Sequence, residues 1–350
     1  YVKSEGTINS LVYTTNCSGQ WQSEVIDSAV GYGGFPDIAA DSQGNLHIVY
    51  NNGPFPSIYA DSEVYYFCGT MGNWQSCILR EDVYFRTIPM SPSIALDEND
   101  SPHVVFPDYS PQMEPELAYM YKAGGYWYLD IVGTTFKVPE YTSIEFDSSN
   151  RPHILYINYS HTENMFYYFY NIIHAVKNSS WTFEALSPDR RQLCGAAFDI
   201  DSSDKIHLCY MDMDEADLVY MERDSFWSTQ IIDSPGKLGN HTCLRSDSTG
   251  GLHLLYTDTI QETIRYKTAD SGSWSSSDLI AENAPCTEAG ADTVYVDSDS
   301  FSHFCYSEGD VTGVDSFFTE NTSGSWQKEF VYDRGMVNTA SVLDTSGAAH

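Results

Sequence analysis

The 350-residue sequence is short of positive charge: 17 Lys and Arg stand against 49 Asp and Glu, a formal net charge of -32. Binding a phosphate backbone needs clustered cations, so nucleic acid is excluded as the natural partner and anionic membrane surfaces are disfavoured. No apolar run reaches the ~18 residues of a spanning segment, so no membrane insertion is expected. No basic start followed by an apolar stretch comes after Tyr1, so any signal peptide is expected to be gone already. CxxC and CxxCH spacings are missing, which removes a zinc ribbon and c-type haem. Helical periodicity is missing too, as are HExxH, a phosphate-binding glycine loop and a Ser-His-Asp pattern. Bulky side chains are plentiful, with 26 Tyr, 17 Phe and 7 Trp, and they argue against disorder despite the charge.

The eight cysteines are even in number and lack metal spacing, which fits disulfides in an oxidising compartment. Asn-x-Ser/Thr sequons, among them those at Asn16, Asn158, Asn178, Asn240 and Asn321, point the same way. A secreted or cell-surface glycoprotein is the expectation. Cys68 and Cys77 flank the turn Gly69 to Gln75 about a shared midpoint between Gly72 and Asn73. Opposed positions on paired strands come within S–S reach, so this pair is predicted to be oxidised. The pairing of the other six stays open.

One pattern, Asp followed six residues later by His, recurs seven times: Asp41/His47, Asp97/His103, Asp147/His153, Asp201/His207, Asp247/His253, Asp297/His303 and Asp344/His350. The seven tryptophans fall one per repeat at spacings of 46 to 54 residues: Trp21, Trp74, Trp127, Trp181, Trp227, Trp274 and Trp326. Each repeat reads as four short apolar runs separated by Ser/Gly/Asn/Asp turns, the signature of an antiparallel four-stranded blade. Seven such units predict an all-β, seven-bladed β-propeller. The expected layout is a single domain over 1-350, with the ring closed by a blade made of about 1-30 plus 338-350. Closure would remove the sheet edges that a linear array leaves exposed. The alternative is a segment of a longer tandem array.

Runs such as Ser93-Ile94-Ala95-Leu96-Asp97 and Asp41-Ser42-Gln43-Gly44-Asn45-Leu46-His47 resemble the Asp-box (BNR-type) repeats of the sialidase-like superfamily of secreted microbial proteins. The resemblance covers the whole chain at blade level and implies the propeller fold. Here His takes the place after the turn. The nearest approach to the superfamily's Arg-Ile-Pro motif is Phe85-Arg86-Thr87-Ile88-Pro89, with an additional Thr. By the same resemblance, ligands are expected on the face of the long variable loops, opposite the Asp–His hairpins.

Seven copies of one Asp–His pair suit a structural turn clamp better than a catalytic or metal site. The tryptophans are expected to fill the blade interior, and His174 to be a packed strand residue. Arg245 and Asp199 occupy equivalent places on neighbouring first strands, which predicts a contact between them. A second repeated position, five after each His, carries Asn52, Asp108, Asn158, Asp212, Asp258 and Glu308, with Glu5 completing the series. Asp108, Asp212, Asp258 and Glu308 are candidates for a rim that binds hydroxyls. A Ca2+ ion is the cofactor such a rim could hold if three or more oxygens approach. The blade-to-blade loops bring cations and aromatics: Arg86, Arg190, Arg191, Arg334, Tyr141 and His241 are the candidate ligand-binding residues. No residue is assigned a catalytic role.

Two function classes follow. A binding propeller that recognises a glycan or a cell-surface partner is favoured, because similar blades without a unique acid pair suit repeated weak contacts. The alternative is a lyase or glycoside hydrolase for an acidic polysaccharide, with arginines neutralising the uronate and Tyr141, His241 or a rim acid moving protons. A structural surface-layer or filament role is the third reading.

Overall fold

The structure is a computed structural model. It describes the chain except residues 6–7, 31–34, 53–61, 84–91, 109–115, 135–137, 162–167, 188–192, 235–240, 259, 271, 283–293, 298, 311–312, 333–335, 339 and 345–346. The described residues contain no helix and form seven antiparallel sheets, the four-stranded blades of a seven-bladed β-propeller.

Two compact units are distinguished, 1–189 with 342–350 and 190–341. In the first, the N-terminal blade contains Val2–Glu5, Ile8–Thr15 and Gln22–Val30. The second blade is Asp37–Ala40, Leu46–Asn52, Ser62–Thr70 and Asn73–Val83. The third is Ser93–Leu96, Pro102–Asp108, Glu116–Ala123 and Tyr126–Thr134. The fourth is Val138–Phe146, Pro152–His161, Tyr168–Lys177 and Trp181–Ala185. The C-terminal segment of this unit lies against the N-terminal blade: Asn16 N donates to Ala349 O at 3.1 Å, and Tyr13 Oη sits 2.6 Å from His350 Nδ1.

In the second unit the fifth blade is Leu193–Ile200, Ile206–Asp212, Asp217–Arg223 and Trp227–Asp233. The sixth is Thr242–Ser246, Leu252–Asp258 and Thr263–Asp270, with a broken fourth strand made of Ser273–Trp274 and Asp278–Glu282. The seventh is Val294–Val296, Ser302–Asp310, Gly313–Glu320 and Gln327–Tyr332. Arg245 Nη1 lies 3.7 Å from Asp199 Oδ1, so the contact expected between these two first strands is present.

Burial follows strand position. The second strands Pro102–Asp108, Ile206–Asp212 and Leu252–Asp258 are buried at every residue. Both faces are buried, so these strands read as apolar runs rather than as alternation. The fourth strands are half in water and alternate more. Each core cluster joins adjacent blades; one gathers Val49, Val64 and Tyr66 with Val104, Phe106, Ala118 and Met120. Burying each such side chain contributes roughly 1.5–3 kcal/mol.

Five of the seven tryptophans sit at the seams rather than in the blade interiors. Trp74, Trp127 and Trp181 meet Tyr13, Tyr66 and Tyr119 of the preceding blades edge-on, at 5.1, 4.9 and 5.2 Å. Trp274 and Trp326 do the same with Tyr220 and Tyr266 at 5.1 and 4.8 Å. At these five seams the indole glues one blade to the next, a demand that recurs with the repeat.

The disulfide expectation is overturned by register. Thr70 pairs with Asn73 and Cys68 with Gln75, so the hairpin loop is the two residues Met71 and Gly72, and its centre lies one residue earlier than expected. Cys77 then falls opposite Tyr66, and Cys68 and Cys77 are both free thiols. Gly69 permits this close turn, because a Cβ there would lie 2.1 Å from the Asn73 carbonyl oxygen. Burial also overturns one sequon. Asn158 is 8% exposed within a central strand and has no room for a glycan. Asn16, Asn178 and Asn321 lie in turns ahead of tryptophans, and Asn240 is outside the described residues.

Candidate functional site

The repeated Asp–His pair is a turn clamp. Asp41 Oδ1 accepts from the N–H of Gln43 and Asn45 at 2.9 and 2.7 Å, and Oδ2 faces His47 Nε2 at 3.5 Å. Asp201 holds Ser203 and Lys205 at 2.9 and 3.0 Å and His207 at 3.1 Å. Asp297 holds Asp299 and Phe301 at 2.9 Å each and His303 at 2.9 Å. The fourth residue of each turn takes a left-handed φ: Gly44, Asp100, Asn150, Asp204, Gly250, Ser300 and Gly347. This is a type I turn closed by a bulge residue, so Gly, Asn and Asp predominate there.

The second imidazole nitrogen extends the clamp to the third strand. His47, His103, His207, His253 and His350 each place Nδ1 within 2.5–2.7 Å of a tyrosine oxygen, on Tyr66, Tyr119, Tyr220, Tyr266 and Tyr13. His174 takes the tyrosine's place in the fourth blade, with Nε2 2.9 Å from His153 Nδ1, and is buried as expected for a packed strand residue. Burial pushes His47, His103, His253 and His350 below their ordinary range, and their aspartates only partly oppose this. These are neutral, structural imidazoles. Their recurrence supports the clamp reading over a catalytic one.

Unlike the clamps, the acids five residues beyond each His differ from blade to blade. Asp108, Asp212 and Asp258 are 3%, 2% and 0% exposed, so they are not a solvated rim. Asp212 Oδ1 caps the N–H groups of Asp214 and Glu215 at 3.1 and 3.4 Å. Asp258 Oδ1 caps Ile260 and Gln261, each at 3.0 Å, and Oδ2 lies 3.7 Å from Arg265 Nε. Glu308 pairs with Lys328. Among the described residues no three rim acids approach closely enough to hold an ion, so the Ca2+ expectation finds no group there.

Asp108 stands apart. Its Oδ2 accepts from Arg80 Nε at 2.9 Å, while its buried Oδ1 has no donor among the described residues. Burial raises its carboxyl above the ordinary range, and Arg80 offsets this only in part. The pair lies at the end from which the variable loops leave: Asp108 ends its strand just before 109–115, and Arg80 lies three residues before the end of a strand that leads into 84–91. Arg80 is not among the candidate residues read from the sequence; it belongs to the fourth strand of the second blade.

Tyr141 lies near the start of the first strand of the fourth blade, a strand that packs against Pro102–Asp108. It sits at a bulge between Glu140 and Ser143 with φ +49°. The corresponding bulge of the fifth blade holds Gly195 at φ +55°. An aromatic residue held left-handed where a sister blade uses glycine carries strain of about 1–2 kcal/mol. His241 lies just before its strand, and its carbonyl accepts from Thr257 N at 3.2 Å. Arg86, Arg190, Arg191 and Arg334 lie outside the described residues. Of the expected constellation, the structure therefore joins Asp108 to a new partner, Arg80, and marks Tyr141 by its backbone.

No protein-family model and no curated protein sequence matches the chain. Solved structures do. AofleA from Arthrobotrys oligospora is 13% identical with TM-score 0.56, covering 97% of this chain and 96% of its own. A variant of the Aleuria aurantia lectin in complex with Fucα1-6GlcNAc is 10% identical with TM-score 0.55, over 88% and 97%. The Hadza microbial sialidase Hz136 is 14% identical with TM-score 0.51, over 82% and 70%. At such identities the likeness is one of fold, and at that level it agrees with the sialidase-like resemblance of the Asp turns.

Proposed function

We propose that the chain is an extracellular or cell-surface glycan-binding propeller, with a ligand site at the variable-loop end around Asp108, Arg80 and Tyr141. The observation that carries this reading is the Asp108 carboxylate, which is buried, has one oxygen on Arg80 and shows no donor at the other among the described residues. A buried acceptor left without a donor costs about 1–3 kcal/mol. A sugar hydroxyl would supply the donor, while Arg80 offers further N–H groups and Tyr141 a ring face. The lectin and sialidase structures that share the fold support a carbohydrate ligand over other classes. A cell-surface protein remains a partner only through the glycans it displays.

Neutral and acidic oligosaccharides, first on an array and then by calorimetry, test the proposal. Arg80→Gln and Tyr141→Gly are expected to weaken binding at least tenfold, with Tyr141→Gly as stable as wild type or more so. No binding by wild type, or equal binding by all three proteins, would remove the reading.

The raised Asp108 carboxyl beside an arginine also favours a second reading, a lyase or hydrolase for an acidic polysaccharide with Asp108 as proton donor. Chain shortening by wild type that Asp108→Asn abolishes would promote it over simple binding.

A further inference from the structure

At the clamp turn of Asp344 and His350 a cysteine thiol comes within reach of both clamp side chains. Cys17 Sγ lies 3.7 Å from His350 Nε2, and Asp344 Oδ2 lies 3.1 Å from the same nitrogen. The sulfur, nitrogen and oxygen all fall within 4.8 Å of one another, the sole such group of metal-ligating atoms among the described residues.

Two uses of Cys, His and Asp compete, and geometry separates them. A nucleophile triad needs the thiol on one imidazole nitrogen and the acid on the other, so that the acid fixes the tautomer and the ring relays a proton. Here thiol and carboxylate both face Nε2, and Nδ1 is taken by the Tyr13 hydroxyl at 2.6 Å. A relay is therefore impossible. Three donors converging on one point instead describe a cation site.

We propose that Cys17, Asp344 and His350 bind a tetrahedral divalent cation of the Zn2+ class. With Zn–N and Zn–O near ~2.0 Å and Zn–S near ~2.3 Å, ligand atoms in a tetrahedron stand about 3.3–3.6 Å apart. The N–O and N–S separations already bracket that range. Mixed thiolate, imidazole and carboxylate ligands suit Zn2+ and not Ca2+ or Mg2+, which take oxygens. The surroundings prepare each ligand. Asp344 Oδ1 is engaged by Ala348 N at 3.0 Å, which leaves Oδ2 directed at the site. Thr15 Oγ1 donates to Cys17 Sγ at 3.1 Å and so holds the sulfur in place. The Tyr13 oxygen can accept from Nδ1–H, the outer partner that a metal-bound imidazole requires. Cys17 is exposed, so its side chain can move to complete the geometry and solvent can take the fourth position. The cation would tie the turn after Thr15 to a segment 333 positions away and so secure this corner of the first unit.

The second blade supplies an internal control. Cys68 Sγ is 4.0 Å from His47 Nε2, but with Asp41 it forms no group of three within reach. The test uses the full chain, stripped with a chelator and titrated with Co2+ and then Zn2+. The expected result is one equivalent bound, a thiolate-to-cobalt charge-transfer band, its loss on adding Zn2+, and a higher thermal midpoint with Zn2+. Cys17→Ser should lose the band and weaken Zn2+ binding at least tenfold, whereas Cys68→Ser should keep both. Absence of a charge-transfer band in wild type overturns the proposal, as does a band that survives Cys17→Ser. Circular dichroism of Cys17→Ser, at an exposed turn, confirms that any loss is not unfolding.

Discussion

If the Asp–His turn is a clamp, then removing one aspartate should cost what its hydrogen bonds contribute. In Asp41→Ala the N–H groups of Gln43 and Asn45 lose their acceptor, and the Asn45 amide, 2.8 Å from Oδ2, and His47 lose theirs. Loss of a capping carboxylate costs about 1–2 kcal/mol and the bonds to Asn45 and His47 about 1 kcal/mol more, giving up to about 3 kcal/mol. Unfolding entropy of about 2.1 cal/mol/K per residue over 350 residues converts this to a fall of about 4 °C in thermal midpoint. Asp41→Asn should fall between, because its oxygen still serves the two turn amides. The pH dependence follows from the same contacts. Burial alone would raise the Asp41 carboxyl, but the Asn45 side chain, the turn amides and His47 outweigh it and hold the group below its ordinary value. A depressed carboxyl stabilises the fold above about pH 4, and that stabilisation is lost as the pH falls towards the folded-state value. The gap between wild type and Asp41→Ala should therefore close in acid. Tryptophan fluorescence melts at pH 7 and pH 3 measure both arms. A difference under 1 °C at pH 7, or one that persists undiminished at pH 3, would refute the clamp as the source of the stability.

Three further outcomes are expected. Arg80→Gln should destabilise more than Asp108→Asn by about 2 kcal/mol in urea unfolding at pH 7, because the first strands a buried carboxylate and the second only a half-exposed guanidinium; the reverse order would contradict the pairing. Tyr266→Phe removes a buried hydroxyl 2.5 Å from His253 Nδ1 and 2.7 Å from Ser302 Oγ, and should cost about 1–3 kcal/mol by the same measurement; a change below ~0.3 kcal/mol would mean the relay contributes nothing there. Alkylation mapped by mass spectrometry should modify the exposed Cys17 and Cys77 in the native protein, while the buried Cys209 and Cys243 react only after denaturation; a Cys68–Cys77 disulfide in that experiment would restore the earlier expectation.

What could be read in the sequence was whatever each blade must solve identically. Asp is required because one carboxylate has to satisfy two amides and an imidazole at fixed places, and Trp because the seams within each unit take one large ring against the neighbour's tyrosine. Both demands are set by backbone geometry that repeats, so both leave a periodic trace. The disulfide failed because a hairpin with the two-residue loop Met71–Gly72 moves its centre by one residue, and opposed partners by two, without changing the cysteine spacing. The acids beyond each His failed as a group for a different reason. Their spacing is periodic, but their partners are not: Asp108 meets an arginine from the preceding blade, while Asp212 and Asp258 meet amides of their own turns. Nothing in a one-dimensional repeat tells which neighbour covers a strand end.

The departures from the repeat then carry information that the repeat itself does not, and their energetic sign sorts them. Phe318 in place of the clamp tyrosine removes a hydroxyl, and His303 Nδ1 turns instead to Glu320 at 3.4 Å, so the exchange is compensated and needs no further cause. His174 for tyrosine is compensated in the same way, nitrogen for oxygen, at 2.9 Å. Tyr141 is not compensated in its backbone: a left-handed φ of +49° disfavours an aromatic residue at a place where the fifth blade uses Gly195. Nor does the clamp need a thiol beside His350. A fold with seven chances to show what a position requires makes an uncompensated exception stand out against the other six. The two exceptions sit at opposite ends of the blades, Tyr141 with the variable loops and Cys17 with the clamp turns, which is why they call for separate explanations.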